Sequence, residues 1–263
     1  MRRIHILFLI CLTLSLSLSL SAQQTATSSP QALQILQRSL SALAGGQSLT
    51  DVTLSGTARR IAGSDDDTGT AILKAIASGA SRVDLTLSSG QRSEVRNLSA
   101  ATPAGTWSGP DGISHAMAYH NLLTEPAWFS PAIAITRGLS SSGYVATYIG
   151  QETRNSAVVQ HVILYQPSSA SADVAPLLQH LTQMDLYLDS STLLPAAMTF
   201  TIHADNDALL DIPVEVRFSD YRAANAAQVP FHVQQYINNN LSLDLQLQSA
   251  AFNTGLTTSS FSM

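Results

Sequence analysis

The spacing of hydrophobic positions along the chain changes early. Leu33, Leu36, Leu40 and Leu43 recur at three- and four-residue steps, which is the stripe of one amphipathic helix. Pro30 opens that segment behind Ser29, a possible cap, and Gly45-Gly46 close it, so a helix is predicted between them. After Leu49 the period becomes two. Val52–Ile61, Gly69–Ala75, Val83–Leu87 and Gln91–Asn97 read as strands, with turns at 63–67 and 88–90. Thr106-Trp107-Ser108 leads into a further turn, Gly109-Pro110-Asp111-Gly112.

Alternation stops between His115 and Ile135. That segment carries Met117, Tyr119, Leu122, Leu123, Trp128, Phe129, Ile133 and Ile135 and is broken by Pro126 and Pro131, so short apolar helices are expected. Strands resume at Tyr144–Gly150 and Ala157–Gln166, and a short helix is expected in Ala172–Thr182. Five more strands follow: Met184–Leu188, Ala197–His203, Val214–Asp220, Val229–Ile237 and Leu241–Gln248. The last alternates strictly, Leu-Ser-Leu-Asp-Leu-Gln-Leu over 241–247. About eleven strands, one preceding helix and helical inserts give an α+β class with a meandering antiparallel sheet. The apolar side of such a sheet needs a cover, and the 115–135 segment is the natural one.

The first residues change the picture of where this sheet works. Met1-Arg2-Arg3 followed by an apolar stretch from Ile4 to Leu20 and by Ser21-Ala22-Gln23 reads as a signal peptide cleaved after Ala22. A membrane anchor is the alternative, but a Leu-Ser repeat dilutes the stretch, and no basic stop-transfer cluster follows it. Cys11, the only cysteine, sits within the apolar run, which argues against lipidation. The expected organisation is therefore a signal peptide over 1–22, a Ser/Thr/Gln linker over 23–29 and one domain over 30–263. Cleavage leaves no thiol, so the exported domain, periplasmic or secreted, must be held by its core and its ladder.

Composition excludes more than it assigns. Of 263 residues 12% are charged, about half the usual share, and 13 basic residues face 18 acidic ones. Lys74 is the only lysine and the arginines are scattered, which excludes nucleic acid as a main partner. His115 and His120 have a spacing compatible with part of a zinc site, but no third ligand accompanies them. Asp65-Asp66-Asp67 lacks the calcium-loop pattern and reads as a solvated hairpin tip. Gly138-Leu139-Ser140-Ser141-Ser142-Gly143 approaches a nucleophile elbow but has serine where glycine is required, and no Ser-x-x-Lys surrounds Lys74. No cofactor, metal or catalytic set is expected, and the protein is read as a monomer that is not an enzyme.

Two stretches carry a resemblance. Met184-Asp185-Leu186-Tyr187-Leu188-Asp189-Ser190-Ser191-Thr192-Leu193-Leu194-Pro195 is similar to the aromatic-x-Asp-x-x-Thr-x-x-Pro turns of the periplasmic lipoprotein-carrier (LolA/LolB-like) superfamily. Phe218-Ser219-Asp220-Tyr221 with Val229-Pro230 resembles the next hairpin there. The resemblance implies an open half-barrel whose apolar concave face is partly plugged by helices and shelters acyl chains. On it the apolar insert becomes a lid, and Met117, Leu122, Leu123, Trp128, Phe129 and Ile133 are the ligand-binding candidates; the competing reading is plain core filling. The function implied is periplasmic binding or carriage of a lipid or lipoprotein acyl chain. The alternative is an envelope protein-interaction or sensor module on the same fold with a filled core.

Overall fold

The computed structural model describes residues 26–99, 102–140, 143–168, 170–171 and 174–262. The expected signal peptide and Cys11 lie outside the described residues. The chain runs α1 (Pro30–Ala44), β1 (Asp51–Ala62), β2 (Asp65–Ile76), β3 (Ala80–Leu87), β4 (Gly90–Asn97), β5 (Ala104–Ser108), β6 (Ser114–Ala116), α2 (Tyr119–Leu122) and α3 (Pro131–Ser140). It continues through β7 (Val145–Arg154), β8 (Ala157–Tyr165), α4 (Ala175–Thr182), β9 (Met184–Asp189), β10 (Pro195–Ala204), β11 (Asp207–Ala224), β12 (Ala227–Ile237) and β13 (Asn240–Phe252). All the strands form one open, antiparallel sheet in the order β6-β5-β4-β3-β2-β1-β13-β12-β11-β10-β9-β8-β7.

The sheet has thirteen strands rather than about eleven. The additions are β5 and the three-residue edge strand β6, whose residues are all exposed and so carry no apolar alternation. His115, expected in a helical segment, is in β6. The Asp65–Asp67 tip is also corrected. A two-residue turn at Gly63-Ser64 joins β1 to β2, and the three aspartates pair with Ala62, Ile61 and Arg60. Asp66 is in an ion pair with Arg59, and Asp67 accepts the hydroxyls of Ser88 and Ser89. Of the expected linker, Ser28 and Ser29 are tied to the edge of β7. Ser29 N–H donates to the Ala146 carbonyl at 2.8 Å, and Ser28 Oγ accepts from Ala146 N–H at 3.0 Å.

Strand order explains the insert. β6 and β7 are consecutive in the chain yet form opposite edges of the sheet. The segment joining them must therefore cross the whole curved face. α1 lies on the same side, packed against α3, β7 and β12. Five consecutive residues of α3, Pro131 to Ile135, are buried, as expected of a helix covered on all sides. Ser29 caps α1 by accepting from Ala32 N–H, and Gly45 ends it in the left-handed conformation at φ 58°. A Cβ at Gly45 would lie 2.1 Å from the Ala226 carbonyl oxygen, so glycine also permits the close approach to the β11–β12 turn.

Candidate functional site

Alternation decides what faces inward. On β1 the inward positions are Leu54, Gly56, Ala58 and Arg60; on β3 they are Val83, Leu85 and Leu87. Register then places Arg92 opposite Leu85 and Glu94 opposite Val83, with Trp107 opposite Glu94. Phe200 and Ile202 come inward from β10, Val214 from β11 and Leu243 from β13. Apart from Leu54, Gly56, Ala58 and Leu87, these residues surround a cavity of about 350 Å³ at the end of the concavity nearest the β1–β2, β3–β4 and β12–β13 turns. The opposite end is filled. Beside Phe129, between Leu54, Val229, Pro230 and Phe252, only about 10 Å³ is left, room for one water at most.

The six candidate residues divide between these regions. Trp128 lines the cavity, although only 5% of it is exposed. Phe129 and Ile133 are completely buried in the main core. Leu122 is buried against Gly105, where a Cβ would come within 2.5 Å of its Cδ2, and half-buried Met117 borders the same glycine. Leu123 is half-buried. Sequence reasoning missed Arg60, Arg92, Trp107 and Phe200. Arg60 was detectable, because it continues the inward phase of Leu54 and Ala58 and puts a charge where an apolar residue belongs.

Polar contacts fasten the crossing segment to both walls. From β4, Arg96 donates to the Asn121 carbonyl and to Thr124 Oγ1, while its Nε pairs with Glu94 at 2.9 Å. On the other wall the Asn121 amide mimics a peptide: it donates to the His203 carbonyl and accepts from His203 N–H, both at 2.8 Å. His120 Nε2 bonds the Ala204 carbonyl at 3.0 Å. Within the segment Glu125 and Arg137 form a buried ion pair at 2.9 Å, and Glu125 also accepts from Ala127 N–H. Arg137 lies over the ring of Tyr144, whose hydroxyl burial pushes up to about 12.

His115 and His120 serve separate structural ends. His115 stacks on Trp107 with ring centroids 4.4 Å apart, and His120 bonds backbone. One trio has ligand-type atoms within 4.8 Å of one another: His180, His203 and Asp211, on the other face of β10 from Ile202. Both imidazoles bond the same Asp211 oxygen, at 2.8 and 3.1 Å. The His180 hydrogen bond holds Asp211 below the ordinary carboxylate range, and burial holds His203 below the ordinary histidine value. The Nδ1 of His203 is buried without a partner, whereas a metal-bound histidine normally donates that second proton. The trio therefore works as a hydrogen-bonded cluster joining α4 to the β10–β11 hairpin.

No family model and no curated protein matches this sequence. Solved structures do match. A domain from Vibrio parahaemolyticus, attributed by its name to outer membrane lipoprotein sorting, aligns at TM-score 0.54 and 11% identity over 88% of this chain and 96% of its own. A LolA superfamily protein from Nitrosomonas europaea aligns at 0.54 and 10% identity over 88% and 97%. The fold is LolA-like. A DUF1329 family protein from Desulfovibrio piger shares it at TM-score 0.55 and 7% identity over 88% and 96%. At these identities the likeness is one of architecture alone.

Proposed function

We propose that this protein binds and carries a hydrophobic, acyl-chain ligand in the cell envelope, acting as a carrier rather than an enzyme. The observation that carries the reading is the unfilled end of the concavity, with Trp128, Phe200, Val214 and Leu243 on its apolar side, beside a floor that is closed. Ligand sites are concave and combine apolar walls with placed polar groups; here the apolar side faces a large polar share that includes Arg60, Arg92, Arg96 and Glu94. The area term suffices: each methylene removed from water contributes about 0.8 kcal/mol, so one chain supplies most of the affinity. The name of the Vibrio relative, lipoprotein sorting, supports the same class of cargo, and export through residues 1–22 supplies the compartment. In this reading the Trp128 segment is the inner wall of the site and the rest of the insert is its frame.

The test is native mass spectrometry of the protein purified from its own envelope, followed by lipid extraction. A co-purifying acyl species at near-equal stoichiometry supports carriage. A protein that arrives empty and also rejects added acyl ligands would falsify it and leave the protein-interaction module.

A further inference from the structure

Two arginines in the cavity lack partners. Arg60 Nη1 and Arg92 Nε are fully covered and make no hydrogen bond, and neither residue belongs to an ion pair among the described residues. Arg154 also has a covered, unbonded nitrogen, but it pairs with Glu215 and lies over Tyr187. Arg96, the third arginine of the cavity, is engaged by Glu94 through Nε and by the insert through Nη1. Among the carboxylates nearby, Asp67 accepts two serine hydroxyls and acts on both arginines through its charge without bonding either, and Glu94 accepts from Arg96.

Burial and the neighbouring Arg92 both act against the charge on Arg60, with Asp67 and Asp65 only partly offsetting them. Covered donors without acceptors and adjacent like charges both cost free energy. An anion between the two guanidinium groups removes both costs, since guanidinium forks match the oxygens of carboxylate and phosphate.

We propose that the cavity takes a single-chain amphiphile with an anionic head, carboxylate or phosphate, whose oxygens are held by Arg60 and Arg92 and whose chain lies along Trp128 and Phe200. A volume of about 350 Å³ is at the small end of ligand cavities, which suits one chain rather than several. The inference rests on the carriage reading and adds the head-group chemistry to it.

Only two tryptophans occur in the chain, Trp107 and Trp128, and both line this cavity, so intrinsic fluorescence reports its occupancy directly. The full-length mature protein is titrated with laurate, dodecyl phosphate, 1-dodecanol and inorganic phosphate, all below micelle formation. Laurate or dodecyl phosphate is expected to bind at least tenfold more tightly than dodecanol, with inorganic phosphate weakest. The preference of one anion over the other then distinguishes a fatty carboxylate from a phosphate head. The double variant Arg60→Gln/Arg92→Gln is expected to lose the anion preference, so that laurate, dodecyl phosphate and dodecanol bind alike.

Equal binding of anionic and neutral chains by the wild type overturns the head-group inference while leaving carriage intact, and needs no variant to fold. A double variant with native circular dichroism that keeps the preference also overturns it. Inorganic phosphate competing as well as dodecyl phosphate makes this a free-anion site and overturns it too. If no chain binds at all, the carriage reading falls and the inference falls with it.

Discussion

The two ends of one concave face are built from the same strands and behave differently. At the floor, α1 and α3 cover the sheet, Phe129 fills the space between Leu54 and Pro230, and almost no void is left. At the mouth the same face ends in Arg60, Arg92 and Trp107, and about 350 Å³ stays open. The difference follows from what the inward positions carry. Alanine, leucine and valine at the floor close around the helices and put no charge on the inward face. The mouth's guanidinium groups cannot be buried by apolar side chains without stranding their donors. A charged inward phase therefore keeps one end of a half-barrel open.

Breaking the floor should have the largest effect. Phe129→Ala empties a completely buried position and is expected to cost about 3–5 kcal/mol in urea unfolding. A loss below about 1 kcal/mol would mean that the floor collapses and is not a rigid frame. Next comes the brace behind it: Glu125→Gln leaves Arg137 without its buried counter-charge, at a cost of about 3 kcal/mol. A near-neutral result there would show that Tyr144 alone can hold the cation.

The boundary between the two ends is sharpened by Trp128→Ala. Affinity for a dodecyl-chain ligand should drop about tenfold with the far-ultraviolet circular dichroism of the sheet retained; unchanged affinity rules Trp128 out of the wall. Asn121→Ala removes the peptide mimic from the edge of β10 and should cost about 1–2 kcal/mol, with faster hydrogen exchange at the His203 amide. If that amide stays protected, the insert is held mainly by Arg96.

The smallest expected effect is on pH dependence outside the cavity. His203 and Asp211 both have folded-state values below their ordinary 6.5 and 3.8, so each stabilises at neutral pH and loses that contribution on acidification. His203 acts first, as pH falls from about 6.5, because its buried ring must take a proton facing His120 and His180; Asp211 follows only in the carboxylate range. The Tm should fall by a few degrees between pH 7 and 5.5, and more in the wild type than in His203→Gln. Parallel profiles would remove His203 from the acid response.

Much of the fold was legible. α1 follows from its leucine spacing and its glycine pair, and the strict alternation at 241–247 lies within β13 as observed. Turn chemistry was equally readable at Asn238-Asn239, both with positive φ between β12 and β13. β6 was not, since a three-residue exposed edge strand has no pattern to show. The aspartates at 65–67 were misplaced because a run of acids looks like a tip, whereas Arg59 and two serine hydroxyls support them within the strand. Of the six candidates only Trp128 lies on the wall of the cavity; hydrophobicity alone could not point to Arg92, and Arg60 showed only as a charge on the inward phase of β1.

Periodicity, turn residues and the break after residue 115 determined by themselves that this chain makes a helix, an antiparallel meander and an apolar insert, because those signals act over a few residues. Tertiary structure alone decided that β13 pairs with β1, a ladder with a bulge at Ser55/Gly56 joining residues some two hundred positions apart. That pairing sends β6 and β7 to opposite edges and forces their connection across the concave face. The physical reason is range. A local pattern fixes which face of a strand turns inward, but which strands become neighbours is set by the burial gained when the whole sheet closes around its helices.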